Sequence, residues 1–278
     1  MKDLNEVSTK KLYEIANEIR KIALKMIYTA GAGHPGGSLS IAEIIAVLYF
    51  REMRIDPKNP KWEERDRLVL SKGHAAPALY AALAMRGFFE EKYLMTFDSI
   101  DSILQGHPDM TKTPGVDMST GSLGQGLSAG IGMALGAKLL NKDFKTYVIL
   151  GDGECEEGQV WEAAMSASKY KLDNLIAIID YNNVQLVGNI LDVMPLEPFS
   201  QKWESFGWNS IIIDGHDVES IIHALELAKK SCGKPTVIIA RTIKGKGVSF
   251  MEGKYQWHSK APNSEEFELA MSELESFK

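Results

Sequence analysis

Three short runs constrain the fold most: KTYVIL at 145–150, LIAIID ending at 180, and TVIIAR at 236–241. Each is apolar at almost every position. A strand with one face in water alternates apolar and polar residues, so unbroken apolar runs belong to a sheet covered on both sides. Helical patterns at about 158–170 and 217–230 and a further strand at about 209–213 fall between or beside them. This alternation predicts an α/β fold, with a mostly parallel central sheet and helices on both faces.

Upstream, Ser8 or Thr9 is expected to cap a helix running to about Tyr28, with Leu12, Ile15, Ile19, Ile22 and Met26 at helical spacing. The capping-box spacing of Ser40 and Glu43 predicts a second helix carrying Ile44, Ile45, Val47 and Leu48 and stopping before Asp56-Pro57. RLVLSKGH reads as a strand that delivers His74 at its C-terminal end, ahead of a helix in APALYAALAMRG. The glycine-rich stretch GSLGQGLSAGIGMALGAKLL reads as a helix whose small residues admit another backbone closely. With no repeat, low-complexity tract or linker in view, residues 1–278 are read as a single domain.

Composition excludes several functions. The formal charge of −6 argues against a nucleic-acid binder, which needs clustered cations to neutralise phosphates. No apolar run approaches membrane-spanning length, and the amphipathic N-terminus, with acids interspersed, fits neither a signal nor a transit peptide. The two cysteines, Cys155 and Cys232, are too few for a disulfide framework. A cytoplasmic protein is expected.

GDGECEEG at 151–158 follows one strand and DYNNVQLVG at 180–188 closes the next. Ligands of such sheets sit at the carboxyl ends of strands, so Asp152 and Asn182 are expected to face one point. A carboxylate and an amide oxygen are hard ligands suited to Mg²⁺ or Ca²⁺, and Mg²⁺ completes its octahedron with substrate phosphates and water. Gly151 and Gly153 would bring backbone N–H groups to a diphosphate at a helix N-terminus. The acids at 154, 156 and 157 would oppose that anion. A tight turn in which Asp152 caps the next helix is the competing reading of GDG.

An acid in GDG followed about thirty residues later by an asparagine is the thiamine diphosphate signature. The chain resembles the N-terminal, diphosphate-binding half of a transketolase over nearly its whole length, through GHPGGS, LSKGH, QGHPD, TGSLGQGLSAGIGMA, GDGECEEGQVWEA, DYNN, KGKG and WH. The resemblance implies a thiamine diphosphate-binding fold. It implies that Asp152 and Asn182 bind Mg²⁺ through side chains and Val184 through its main-chain oxygen, with Gly153 near the diphosphate. Gly121, Ser122 and Leu123 match a loop along the cofactor, and Lys244 a basic residue near it, for which a solvated loop lysine is the competing reading. His34, His74, His107 and His258 match residues lining the channel to the reactive carbon, where they bind sugar hydroxyls and move protons. Each of the four, taken alone, also reads as a satisfied loop histidine, the reading kept for His216 and His223. Glu157, together with Glu162, matches acids linking two cofactor sites across a dimer interface. Gly37 stands where some relatives have serine, and HSKAP departs from an HGAP-like form.

The implied activity is reversible transfer of a two-carbon ketol group from a ketose phosphate to an aldose phosphate. The resemblance implies that the domain binding the aminopyrimidine ring, with the glutamate that activates the cofactor, is absent from this chain. The expectation is therefore a natural subunit of a split enzyme, completed by a separate C-terminal subunit in an α₂β₂ assembly, rather than a truncated form. A 1-deoxyxylulose-5-phosphate synthase-like enzyme, the α subunit of a 2-oxoacid dehydrogenase and a non-catalytic Mg²⁺–diphosphate-binding regulatory module are the alternatives.

Overall fold

Ser8 opens the first helix of the computed structural model, which describes residues 7–276, by accepting the N–H of Lys11 on its side chain. The first residues of the amphipathic N-terminus, MKDLNE, and the last two of ELESFK lie outside the described residues. Helix α1 (Thr9–Ala30) buries Leu12, Ile15, Ile19 and Met26 on one stripe, as the periodicity predicts. It ends where Gly31, in the left-handed region at φ 66°, donates its N–H to Tyr28 O.

The next segment departs from expectation. Instead of one helix capped at Ser40, α2 (Pro35–Ser40) and α3 (Ala42–Val47) follow each other, continued by a wide turn over Leu48–Glu52. Pro35 suits a first helical position because its φ is already helical and it has no N–H to leave unpaired. Ser40 therefore ends a helix, and its hydroxyl donates to Asp180 Oδ2 at 2.6 Å. Glu43 lies against Arg20 rather than closing a capping box. The helical region does stop before Asp56 and Pro57.

Strands β1 (Arg67–Leu70), β2 (Thr146–Gly151), β3 (Leu175–Tyr181), β4 (Asn209–Asp214) and β5 (Thr236–Arg241) form one parallel sheet in the order β1-β2-β3-β5-β4. Alternate residues point to opposite cores. Leu70, Ile149, Ile178, Ile238 and Ile211 pair in register across all five strands and face one layer. That layer contains α1, α3, α4 (Ala76–Arg86) and α9 (Val218–Lys229). Val69, Val148, Ala177 and Val237 face the other, formed by α5 (Gln125–Leu139), α6 (Gly158–Lys169) and α8 (Phe199–Ser205). Each fully buried isoleucine or valine contributes about 1.5–3 kcal/mol. Two covered faces thus explain why the central strands carry no polar alternation.

The glycines of α5 do bring a neighbour close: a Cβ on Gly130 would lie 2.4 Å from Val148 Cγ2, and one on Gly126 2.4 Å from Ser71 Oγ. The short helix α7 (Ile190–Val193) follows the β3 loop, and α10 (Ser264–Ser276) packs on α1, where Asn17 donates to Leu274 O. Among the described residues no helix is long and apolar enough to cross a membrane.

Candidate active site

Asp152 follows β2 and Asn182 follows β3, and because these strands are neighbours both residues line one cavity of about 160 Å³ at the carboxyl ends. Asp152 is buried. Its Oδ1 accepts the N–H of Gly153 at 2.8 Å and its Oδ2 that of Asn183 at 2.6 Å. Asn183 reaches this position through a left-handed turn, φ 62°, which asparagine tolerates. Among the described residues no cationic group lies within ion-pair distance of Asp152. Burial, and next the charge of Asp180, push its carboxyl up to about 7.

Asn182 donates its amide nitrogen to Asp180 Oδ2 at 2.8 Å, which fixes the flip of the amide, and its oxygen accepts Val184 N–H at 3.1 Å. With the main-chain oxygen of Val184, the cavity offers a carboxylate, an amide oxygen and a carbonyl. That set suits a hard divalent cation, and a buried carboxylate with no ion-pair partner fits one, with Lys244 Nζ already donating to the Val184 carbonyl. Among the described residues no cluster of three or more His, Cys, Asp or Glu side chains is placed to hold a metal, in keeping with a set that contains one carboxylate.

The competing turn reading of GDG is also realised, since Asp152 caps the short turn over Gly153–Glu156. Gly151 departs from expectation: its N–H donates to Glu154 Oε2 at 3.0 Å and is committed to the protein. Gly153 lines the cavity, and a Cβ there would come 3.1 Å from Gln185 Cβ. Glu154 does not oppose an anion as a free charge. It is buried, accepts from Ser71 Oγ and from Gly124 N–H, and its carboxyl is raised by burial against those bonds. Glu156 accepts from Gln185, while Glu157, at the N-cap of α6, and Glu162, in its second turn, are exposed.

Lys72 and Asp180 are the groups that sequence reasoning missed. Lys72 leaves β1, Asp180 ends β3, and Nζ lies 2.5 Å from Oδ2 with both side chains buried. Asp180 also accepts from Ser40, Asn182 and Thr242. Burial alone would raise its carboxyl, but the Lys72 charge and these hydrogen bonds hold it below the usual carboxylate range. Both residues sit in the motifs LSKGH and DYNN; a lysine two positions before His74 and an acid two before Asn182 were the available signal.

Four histidines from distant parts of the chain converge. His34 precedes α2, His74 lies in the turn after β1, His107 in the long connection to α5, and His258 ends the turn before α10. Ring centroids of His34 lie 5.2, 6.1 and 5.5 Å from those of His74, His107 and His258, and His74 and His258 are 5.0 Å apart. Among the described residues the rings of His34, His74 and His107 make no hydrogen bond to the protein; His34 and His74 are half-buried, and His107 is exposed, where water can satisfy it. Burial, then neighbouring positive groups, lower His34 to about 4 and His258 to about 3, and push His74 well below the ordinary imidazole value.

Lys244 is buried rather than solvated. It donates to Val184 O at 2.9 Å and stands 3.0 Å from His258 Nδ1. Burial, and then Lys72, lower its ammonium to about 8. Because an ammonium only donates, His258 Nδ1 accepts. Gly121 packs against the His107 ring, Leu123 lines the cavity, and Ser122 is exposed beside them. Gly37 has a local reason: its Cβ would lie 3.2 Å from His74 Nε2. In HSKAP, Lys260 sits over the Trp257 ring and pairs with Glu266 at 2.5 Å. His216 and His223 lie outside the cavity, the first satisfied on both ring nitrogens and the second exposed on α9.

A parallel sheet with hard-oxygen donors at the ends of adjacent central strands, beside a cluster of neutral imidazoles, defines a thiamine diphosphate-binding fold. Residues 12–275 match the family model described as the thiamine diphosphate binding domain of transketolase, and the chain belongs to the transketolase family. It is 53% identical over 260 residues to the 6-deoxy-6-sulfo-D-fructose transketolase subunit SqwG of Clostridium sp. (strain MSTE9), covering 94% of each chain. It is 45% identical over 255 residues to one subunit of the apulose-4-phosphate transketolase of Phocaeicola vulgatus, covering 92% of this chain and 90% of that one. The transketolase of Campylobacter jejuni superposes with a TM-score of 0.90 at 37% identity, over 95% of this chain and 42% of that one. The chain thus spans about two fifths of such solved transketolases and corresponds to their thiamine diphosphate-binding, N-terminal part.

Proposed function

We propose that this chain is the diphosphate-binding subunit of a two-chain transketolase that moves a two-carbon ketol group reversibly from a ketose phosphate to an aldose phosphate. The observation that carries the reading is the meeting of His34, His74 and His258 beside the oxygen donors Asp152, Asn182 and Val184 O. A metal site alone would not require the imidazoles. The near-complete coverage of relatives named as transketolase subunits favours this reading over a 1-deoxyxylulose-5-phosphate synthase or a 2-oxoacid dehydrogenase subunit.

Bound thiamine diphosphate would supply the electron sink for carbon–carbon bond cleavage. The protein's own part is holding and proton handling. Asp152, Asn182 and Val184 O would hold Mg²⁺, or Ca²⁺, against the diphosphate, with Gly153 and the loop Gly121–Leu123 beside it. Lys244 brings a positive charge to the same cavity. His34, neutral at physiological pH, can accept a hydrogen bond from a sugar hydroxyl and take up a proton; His258, whose Nδ1 accepts from Lys244, carries its proton on Nε2 and would donate it to a sugar oxygen, and His74 and His107 extend the imidazole lining beside His34. Glu157, at the N-cap of α6, and Glu162, both exposed, would make the carboxylate contact with a second copy.

The aminopyrimidine ring would be held by a separate C-terminal subunit in an α₂β₂ assembly. A cytoplasmic setting and a role in pentose phosphate metabolism belong to the same proposal; the free thiols Cys155 and Cys232 support the first. The test is ketol transfer with thiamine diphosphate and Mg²⁺ by this chain alone and with a candidate C-terminal subunit. Activity in the mixture only is expected. Full activity of the isolated chain, or cofactor binding with no transfer across a panel of partners and sugars, would count against it, the latter leaving a regulatory binding module.

A further inference from the structure

His216 lies outside the cavity, yet it joins the deepest ion pair of the helical layer to the loop that carries Lys244. Arg20 of α1 donates from Nη2 to both carboxylate oxygens of Glu43 on α3, at 2.7 and 2.6 Å, and both side chains are buried. Glu43 Oε2 lies 3.0 Å from Nδ1 of His216, in the turn after β4. On the other side of the ring, Nε2 accepts the backbone N–H of Ile243 at 2.8 Å. An imidazole nitrogen that accepts carries no proton, so the ring's proton is on Nδ1 and is donated to Glu43. The tautomer is fixed by both partners at once.

Ile243 immediately precedes Lys244. The flanking main-chain groups are tied to the site as well: Thr242 N–H donates to Tyr181 O, and Gly245 N–H to Gly36 O. Ile243 N–H has the His216 ring as its acceptor, so a side chain rather than another main-chain group holds this point of the loop.

We propose that His216 is a positioning residue of the site: the line Arg20–Glu43–His216–Ile243 sets the backbone of residues 242–247 and thereby places Lys244 Nζ against Val184 O and His258. This rests on the functional reading above only for its consequence, which is tighter binding of Mg²⁺–thiamine diphosphate. Partners that orient a site's contacting groups typically change affinity 10–100-fold when removed.

Two substitutions separate this role from a purely structural one, because each keeps one half of the ring's bonding. In His216→Gln the side-chain amide oxygen takes the place of Nε2 and still accepts from Ile243, while the donor to Glu43 is lost. In His216→Asn the amide nitrogen takes the place of Nδ1 and still donates to Glu43, while the acceptor for Ile243 is lost. The full chain is titrated calorimetrically with thiamine diphosphate in saturating Mg²⁺, its thermal midpoint is recorded, and amide exchange is followed in peptides covering 242–247. His216→Asn is expected to bind the cofactor about tenfold or more weakly, with faster exchange at Ile243, and His216→Gln within about twofold of the parent despite a lower thermal midpoint.

Equal binding by His216→Asn and the parent, or an equal loss in both variants, overturns the proposal. Should neither variant fold, exchange in the unaltered chain decides: slow exchange at Ile243 supports the anchor and rapid exchange overturns it. Failure of the unaltered chain to bind the cofactor would sink the functional reading instead, and the exchange contrast between the two variants would still judge the anchor.

Discussion

Lys72 Nζ and Asp180 Oδ2 stand 2.5 Å apart beneath the site, a cation from the end of one strand meeting an anion from the end of another two places along the sheet. Removing one member leaves a buried charge without a partner, a loss of about 3–5 kcal/mol. Lys72→Met should therefore lower the stability measured by chemical denaturation by that much. Adding Asp180→Asn should recover part of it; a double variant as weak as the single would show that the pair's charges are not the cause.

The same pair sets an acid limit. Asp180 is held below its unfolded value, so its stabilisation is complete above about pH 4 and is lost as pH falls through the depressed folded value. Lys72→Met should remove this limb from a plot of stability against pH, while leaving limbs due to other groups in place.

Asp152 has the opposite sense. With a folded value of about 7, the metal-free chain loses stability as pH rises from about 4 to 7, since the unfolded carboxyl ionises first. On the proposed metal role, protons compete with Mg²⁺ for this oxygen pair. Affinity for Mg²⁺–thiamine diphosphate should climb up to about pH 7 and level off above it, and Asp152→Asn should bind at least about tenfold more weakly with no such climb. A pH-independent affinity in the unaltered chain would contradict the assignment.

His34, His74 and His258 all resist protonation, so each withdraws stability as pH falls below about 6.5 toward its lowered folded value. In that window the three act against the raised carboxyls of Asp152 and Glu154, so Asp152→Asn should lose more stability between about pH 7 and pH 5 than the unaltered chain does. In the reconstituted enzyme, His258→Ala should reduce kcat/KM for the ketose donor about 10²–10⁴-fold with little change in cofactor affinity. An unchanged donor KM and kcat would remove His258 from the reaction.

Two glycines of α5 offer an internal contrast. A Cβ on Gly130 would meet Val148 at 2.4 Å, whereas one on Gly132 would meet nothing within 4 Å. Alanine gains about 1 kcal/mol of helix propensity at either position, but overpacking costs about 1–3 kcal/mol. Gly132→Ala should raise the thermal midpoint and Gly130→Ala lower it; the same sign for both would mean that the contact with β2 relaxes freely.

Much of this arrangement was legible because its signals are local or periodic. The apolar runs of β2, β3 and β5 announce a sheet buried on both faces, and Asp152 and Asn182 follow from where two such runs end. The resemblance brought together the four histidines, which no spacing rule relates. Lys72 and Asp180 stayed hidden because their partnership spans three strands of the finished sheet, and a lone lysine or aspartate has no pattern of its own. Ser40 misled for a related reason: its hydroxyl serves a carboxylate 140 positions away, and a local capping rule cannot see that competitor. His216 read correctly as a satisfied loop histidine, but the identity of its two partners required the fold.

Strand β1 hydrogen-bonds to β2, whose residues come about eighty positions later in the chain. During synthesis β1 emerges with no strand to join and must wait, at ordinary elongation rates of ~5–20 residues per second, for several seconds or more. His74 and Lys72, which hang from its end, can take up their places only after that late pairing. The cavity is therefore among the last parts of the chain to assemble, and a ribosome that stalls between the two strands leaves β1 as a lone, unpaired apolar strand.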